Sequence, residues 1–110
     1  AASDVYKRQI MQLEKNRRGR ELRVVLSGEL DHHNAAIIRE EVDRELDGSV
    51  KLLTLDMSGI TFMDSSGIGV VLGRYRRMSE SGGKLRMGGM SIYAEKILRM
   101  AGVLALLERK

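Results

Sequence analysis

The sequence predicts a single α/β domain built on a mixed, mostly parallel sheet. Patterns typical of strands alternate with patterns typical of helices after an opening pair of strands, and this order favours parallel strands joined by right-handed crossovers. Residues 52–57 are almost continuously apolar, as expected of a strand covered on both faces, and a helical stripe follows at once. The 110 residues contain no proline and no linker-like tract, so we expect one folded unit.

The first half of the chain predicts a β-hairpin followed by a helix. Residues 10–13 and 21–27 alternate in hydropathy, and the charged segment between them contains a glycine and can turn. Asn34 is predicted to cap a helix that runs from Ala35 to about Leu46, because apolar residues recur there at helical spacing. Gly48 is predicted to end that helix.

The second half predicts two strand–helix pairs and a final strand. After residues 52–57, one apolar stripe at helical spacing comprises Ile68, Val71, Leu72, Tyr75 and Met78. A glycine-rich turn then leads into a strand at 84–87 and a helix at about 91–100, which Gly102 closes. The last apolar run, residues 104–107, is predicted to be a strand.

Composition argues against several classes of function. The chain has no cysteine, which removes disulfides, thiolate metal sites and cysteine nucleophiles. Its net charge is +4, but aromatic residues make up only 4%, whereas nucleic-acid binding favours basic residues interleaved with stacking aromatics. No apolar run approaches the roughly 20 residues that span a bilayer. We therefore expect a cytoplasmic protein that binds neither nucleic acid nor membrane.

Residues 1–9 differ from the rest of the chain. They show no clear periodicity, lack an initiating methionine and lack the continuous apolar core of a signal peptide. We expect them to be an artefactual or disordered tail, with the folded domain at residues 10–110.

Residues 55–69 contain the candidate functional site. A buried strand leads into a tight turn that carries Asp64, Ser65 and Ser66 at the start of a helix. Unpaired backbone N–H groups and the helix dipole favour negative charge there, so the turn suits a phosphoserine. The same geometry makes any serine a good N-cap, and local sequence alone does not separate the two interpretations.

Two separate segments resemble one known family. Residues 63–75 are similar to the phosphorylation segment of anti-sigma-factor antagonists, which share the STAS fold. Residues 28–35 are similar to the Gly-Glu-Leu-Asp-His-His segment of the sporulation-type member. The resemblance runs from about Ile10 to the C-terminus and implies a STAS-type domain. Relatives usually continue into a C-terminal helix that this sequence is expected to lack, which would favour self-association through exposed apolar surface.

The resemblance also implies a partner switch. The unphosphorylated protein would bind an anti-sigma factor that is also a serine kinase, and so release a sigma factor. Phosphorylation of Ser65 would end that binding until a serine phosphatase removed the phosphate. No cofactor, metal or catalytic residue is expected. The residues implied to contact the partner are Glu29, Asp31, His32, Asp64, Ser66, Gly67 and Ile68.

Each of these residues also has a purely structural interpretation. Asp31 and Asp64 could be turn formers, Glu29 a solvated strand end and Ile68 ordinary core. The two adjacent histidines have no cysteine or third histidine beside them to complete a metal site.

Other functions fit the sequence less well than the switch. Ser65 lacks the Gly-x-Ser-x-Gly context of a hydrolase nucleophile. Gly67, Gly69 and Gly73 match neither a Rossmann fingerprint nor a P-loop, and we expect them to permit close helix packing. Two alternatives stay open: a STAS scaffold or regulator in a different, general stress partner-switching pathway, and a truncated fragment that folds but binds no partner.

Overall fold

The computed structural model describes residues 11–109, so the predicted tail and the predicted strand residue Ile10 lie outside the described part. Within residues 11–109, four strands form one sheet in the order β1-β2-β3-β4. The strands are β1 Met11–Arg18, β2 Glu21–Leu30, β3 Leu52–Met63 and β4 Lys84–Met90. The helices are α1 His32–Asp43, α2 Ser65–Glu80, α3 Ile92–Met100 and α4 Val103–Arg109.

The sheet is mixed and mostly parallel, as predicted. β1 and β2 form the opening hairpin, with antiparallel pairing from Met11 opposite Gly28 to Arg18 opposite Glu21. β3 runs parallel to both β2 and β4. The sheet order follows the chain order, so each helix that joins two parallel strands crosses over to a neighbouring strand.

The core lies between the sheet and the helices. Alternate residues of the two central strands face it, and each is at most 1% exposed: Leu22, Val24, Leu26, Leu53, Leu55 and Met57. Burial of one such side chain stabilises the fold by about 1.5–3 kcal/mol. Helix α2 buries residues 67, 70, 71, 74 and 78, whereas Ile68, Leu72 and Tyr75 are only partly buried. The predicted apolar stripe is therefore offset by about one residue from the face of α2 that is most deeply buried.

β3 continues beyond its predicted end at Met57 to Met63. The residues Ser58 and Gly59 resemble a turn signal, but Gly59 pairs with Ser27 in the parallel ladder. A Cβ at Gly59 would lie 2.7 Å from the Ser27 Cβ, so glycine allows the two strands to approach. The prediction that the strand ends before this pair was wrong, and the extension carries β3 to the start of α2.

The predicted final strand at residues 104–107 is also wrong, because this segment lies in α4. Val103 and Leu104 are buried in the core, and Leu107 packs against it. Gly102 does close α3 as predicted, with a positive φ of 79°. The described chain therefore ends in a helix, whereas the sequence predicted a terminal strand and no C-terminal helix.

A partly buried ion pair joins α2 to α1. The Arg74 side chain is only 7% exposed, and its Nε lies 2.9 Å from Oδ1 of Asp43. The Nη2 of the same guanidinium donates to Oδ2 of Asp43 at 3.2 Å. Burial lowers the pKa of Arg74, while the negative charge of Asp43 opposes that shift by favouring the charged form. The two helices that begin at the candidate site are thus joined at a second point.

Candidate functional site

The carboxyl ends of β2 and β3 lie side by side. Glu29 pairs with Phe62 and Leu30 with Met63 at the end of the parallel ladder. The Asp64 N–H donates to the Leu30 carbonyl at 3.3 Å, which joins the two turns that follow these strands. The expectation that the Glu29 loop approaches the Asp64 turn is confirmed, and both α1 and α2 begin at this edge.

Asp64 is the N-cap of α2. Its backbone is extended, with φ −112° and ψ −170°, and its side chain accepts a hydrogen bond from the Ser66 N–H at 2.8 Å. The capping interpretation of the two serines was therefore wrong, because an aspartate one residue earlier takes that role. Ser65 is the first residue of the helix and is exposed. Within residues 11–109, no hydrogen bond involves its hydroxyl.

Asp31 is the N-cap of α1, where the sequence predicted Asn34. The Asp31 Oδ1 accepts from the Asn34 N–H at 2.9 Å, so the helix begins three residues before the predicted start. Asn34 is 1% exposed and its Nδ2 donates to the Glu29 carbonyl at 2.8 Å. Asn34 thus joins the first turn of α1 to the end of β2, a role that sequence reasoning missed. His32 and His33 are exposed on the first turn.

Gly67 lets the first turn of α2 lie against the end of β3. A Cβ at Gly67 would lie 2.4 Å from Cε, 2.7 Å from Cγ and 3.0 Å from Sδ of Met63. Gly69 and Gly73 have no heavy atom within 4 Å of such a Cβ. Close packing was predicted for all three glycines, and only Gly67 has it. Gly67 is buried, so it acts here through packing.

The apolar residues near the turn differ in exposure. Ile68 is partly buried and packs against the core, in agreement with its structural interpretation. Phe62 is 47% exposed, two residues before the Asp64 cap. Sequence reasoning missed Phe62, because an apolar residue in an apolar strand is ordinarily expected to be buried.

Comparison with known proteins identifies the family. The STAS domain family matches residues 12–109. The chain belongs to the STAS domain family. It is 34% identical over 94 residues to the anti-sigma F factor antagonist of Paenibacillus polymyxa, covering 84% of this chain and 80% of that protein.

Two solved structures support the same assignment of this STAS domain. The anti-sigma factor antagonist SpoIIAA in its unphosphorylated form is 29% identical, with a TM-score of 0.76 over 84% of this chain and 82% of that one. The Bacillus cell fate determinant SpoIIAA in the phosphorylated form is 31% identical, with a TM-score of 0.68 over 86% of each chain. The same architecture therefore occurs in a relative solved with and without phosphate.

The edge of this STAS domain that carries Ser65 is acidic within a basic chain. The net charge is +4, yet residues 24–38 and 52–73 contain no lysine or arginine. The segments supply Glu29, Asp31 and Asp64 to the turns at this edge. Among residues 11–109, no group of three or more His, Cys, Asp or Glu side chains is placed to hold a metal ion. No helix in the described part is long and apolar enough to cross a membrane.

A second carboxylate, Asp56, lies at an irregular point of β3. The ladder shifts register beside it on both sides, towards β2 and towards β4. Its Oδ1 accepts from the Ser58 hydroxyl at 2.6 Å and the Ser58 N–H at 3.0 Å, and its Oδ2 pairs with Arg23 at 2.7 Å. The Ser58 hydrogen bonds and the nearby Arg23 charge hold the pKa of Asp56 below its usual value.

Proposed function

We propose that this STAS domain is an anti-sigma-factor antagonist whose binding to an anti-sigma factor is switched off by phosphorylation of Ser65. The exposed, uncommitted Ser65 hydroxyl at the first position of α2 carries the proposal. Its support comes from the named relatives, among them a 34% identical anti-sigma F factor antagonist and SpoIIAA in its phosphorylated form.

A phosphate on Ser65 would alter the surface of the domain more than its fold. It brings a charge of about −1.5 to −2 at neutral pH. The helix dipole of α2 favours negative charge at this position, and the exposed side chain has room for the added group. No lysine or arginine lies between residues 52 and 73 to neutralise it. The main consequence is therefore a bulkier and more acidic edge.

The chemistry of a kinase partner explains why this change would end binding. A partner that phosphorylates Ser65 must hold a nucleotide phosphate against the Ser65 hydroxyl. Once Ser65 is phosphorylated, two phosphate groups face each other in the same interface, and Asp64 adds a further negative charge. The partner would then be released, and it could bind its sigma factor again.

The proposal extends to the proteins around the switch. An anti-sigma factor with serine kinase activity would modify Ser65, and a serine phosphatase would restore the binding form. Because sigma factors act in the cytoplasm, the protein would also work there. Glu29, Asp31, His32, Asp64 and Ser66 would contribute to the binding edge, while Gly67 and Ile68 would support it from within.

The test is phosphorylation by an anti-sigma F factor in the presence of ATP, with the site located by peptide mass spectrometry. We expect one phosphate on Ser65. Ser65→Ala should bind the anti-sigma factor without being modified, and Ser65→Asp should bind more weakly while remaining folded. Ser66→Ala is the matched control, and this variant should still be phosphorylated on Ser65.

Equal affinity of Ser65→Ala and Ser65→Asp for the anti-sigma factor would contradict the switch, as would modification of Ser66 in place of Ser65. Preferential binding to an anti-sigma factor from a general stress pathway would reassign the partner and keep the switch. A folded protein that bound neither class would be a domain without this function.

A further inference from the structure

β3 carries a bulge where it passes the end of β2. Gly28 pairs with Ile60, but the next residue of β2, Glu29, pairs with Phe62, so β3 has one extra residue there. In a regular strand, residues i and i+2 face the same side, and Phe62 would share the buried side with Ile60. The bulge gives the inward position to Met63, which is buried, and leaves Phe62 47% exposed.

The outward orientation of the Phe62 side chain therefore results from the bulge in the backbone of β3. Phe62 is the one phenylalanine in the sequence, yet its side chain is not buried in the adjacent core. Bulges that re-aim a side chain occur preferentially beside functional sites. Phe62 precedes Ser65 by three residues, and Glu29 lies next to it on β2, at a strand spacing of about 4.8 Å.

We propose that Phe62 is the apolar anchor through which the anti-sigma factor binds this edge, an inference that rests on the proposed function. Exposed aromatic side chains surrounded by polar groups carry much of the binding energy in protein interfaces. The polar groups near Phe62 are acidic, since Glu29 is its ladder neighbour and Asp64 caps the following helix.

Charge complementarity specifies the surface that fits this edge. The two segments that form the edge contain no lysine or arginine, so the charged side chains they present to a partner are carboxylates. The matching surface of the anti-sigma factor is an apolar pocket for the Phe62 ring, bordered by lysine or arginine side chains.

The experiment measures the affinity of Phe62→Ala for an anti-sigma F factor by titration calorimetry in the presence of ADP. We expect the Kd to rise at least about tenfold, as for truncation of a central aromatic anchor. In the kinase reaction, the KM for the variant should rise while kcat stays within about twofold, because Phe62 binds the partner and does not touch the transferred phosphate.

Met100→Ala is the matched control, because Met100 is 77% exposed and lies at the far end of α3. Its affinity should equal that of the wild type. If Phe62→Ala does not fold, Phe62→Gln keeps a side chain of considerable length at the exposed position and should show the same loss. Circular dichroism and thermal unfolding identify the folded variants.

The outcomes separate this inference from the proposed function. Wild-type affinity in a folded Phe62 variant would overturn the anchor and leave the switch at Ser65 standing. An equal loss in Met100→Ala would also overturn it, because the effect would not be specific to this edge. Failure of the wild-type protein to bind an anti-sigma factor would overturn the proposed function itself.

Discussion

The close approach of Gly67 to Met63 predicts that Gly67→Ala destabilises the fold. Gly69 on the same helix provides the control. In Gly67→Ala, the new methyl group would stand 2.4 Å from Cε and 2.7 Å from Cγ of Met63. Met63 is 6% exposed, so its side chain has little room to move aside, and such overpacking costs about 1–3 kcal/mol. The substitution also gains about 0.5–1 kcal/mol, because alanine favours helix over glycine.

Gly69→Ala isolates the steric part of this effect. Gly69 lies two residues further along α2 and has no heavy atom within 4 Å of an added Cβ, so only the helix-propensity gain of about 0.5–1 kcal/mol applies. Subtracting the two variants cancels that gain, and Gly67→Ala should be less stable than Gly69→Ala by about 1–3 kcal/mol.

Urea unfolding measures both variants, provided that their m-values match the wild type. Met63→Ala, alone and combined with Gly67→Ala, completes a double-mutant cycle, and the coupling energy should be favourable because the smaller residue removes the clash. The reasoning is refuted if Gly67→Ala and Gly69→Ala change the free energy of unfolding equally. It is also refuted if the Met63 substitution leaves the cost of Gly67→Ala unchanged.

Three further predictions concern the ends of the helices and the irregular point of β3. Asp64→Ala should lower the free energy of unfolding by about 1 kcal/mol, and Asp64→Ser by less, because serine can also cap the helix; urea titration measures both. Asp43→Ala should cost about 1–3 kcal/mol, since it leaves the buried Arg74 guanidinium without its carboxylate, although the site of Asp43 is partly open to water, and Arg74→Met with Asp43→Ala should recover much of the loss. The pKa of Asp56 is held in the fold below its ordinary value of 3.8 by the Ser58 hydrogen bonds. Its stabilising contribution is therefore present above that value and is lost as pH falls through the folded pKa. Ser58→Ala should therefore weaken the loss of stability on acidification, as measured by urea unfolding at a series of pH values.

The parallel strands at the centre of the sheet were predictable from sequence, because the hydropathy patterns of the strand and of the helix that follows it do not conflict. Residues 52–57 are apolar except for Thr54 and Asp56, and the stripe at helical spacing that follows begins at Ile68. The end of β3 was not predictable in the same way, because Ser58 and Gly59 favour a turn when taken alone. Only the neighbouring strand shows why the chain stays extended there, through the pairing of Gly59 with Ser27.

The last helix shows a different limit. Residues 103–107 are Val-Leu-Ala-Leu-Leu, and an apolar run of this length fits a buried strand and a buried helical turn equally well. Only Val103 is β-branched, while leucine and alanine are strong helix formers, so intrinsic propensity favoured the helix. The order of strands and helices in the rest of the chain suggested a strand here. The segment instead forms the helix that its residues favour.

The two errors in helix capping have one origin. Asp, Asn and Ser can all accept a hydrogen bond at a helix N-terminus, so composition leaves the choice open in both turns. In the structure, Asp31 directly follows β2 and Asp64 directly follows β3, and each begins a helix without any intervening loop. The aspartate comes first in both turns and is already extended, which is the backbone conformation that a cap requires.

This direct passage from strand to cap also bears on how a switch at Ser65 could work. The Asp64 side chain holds the Ser66 N–H, and the Asp64 carbonyl accepts from the Gly67 N–H at 3.0 Å. The start of α2 is therefore already fixed by hydrogen bonds that do not involve the Ser65 hydroxyl, so adding phosphate to that hydroxyl breaks none of them. A modification that leaves the helix cap intact can act on a partner through charge and bulk at the edge, and it requires no second conformation of the domain.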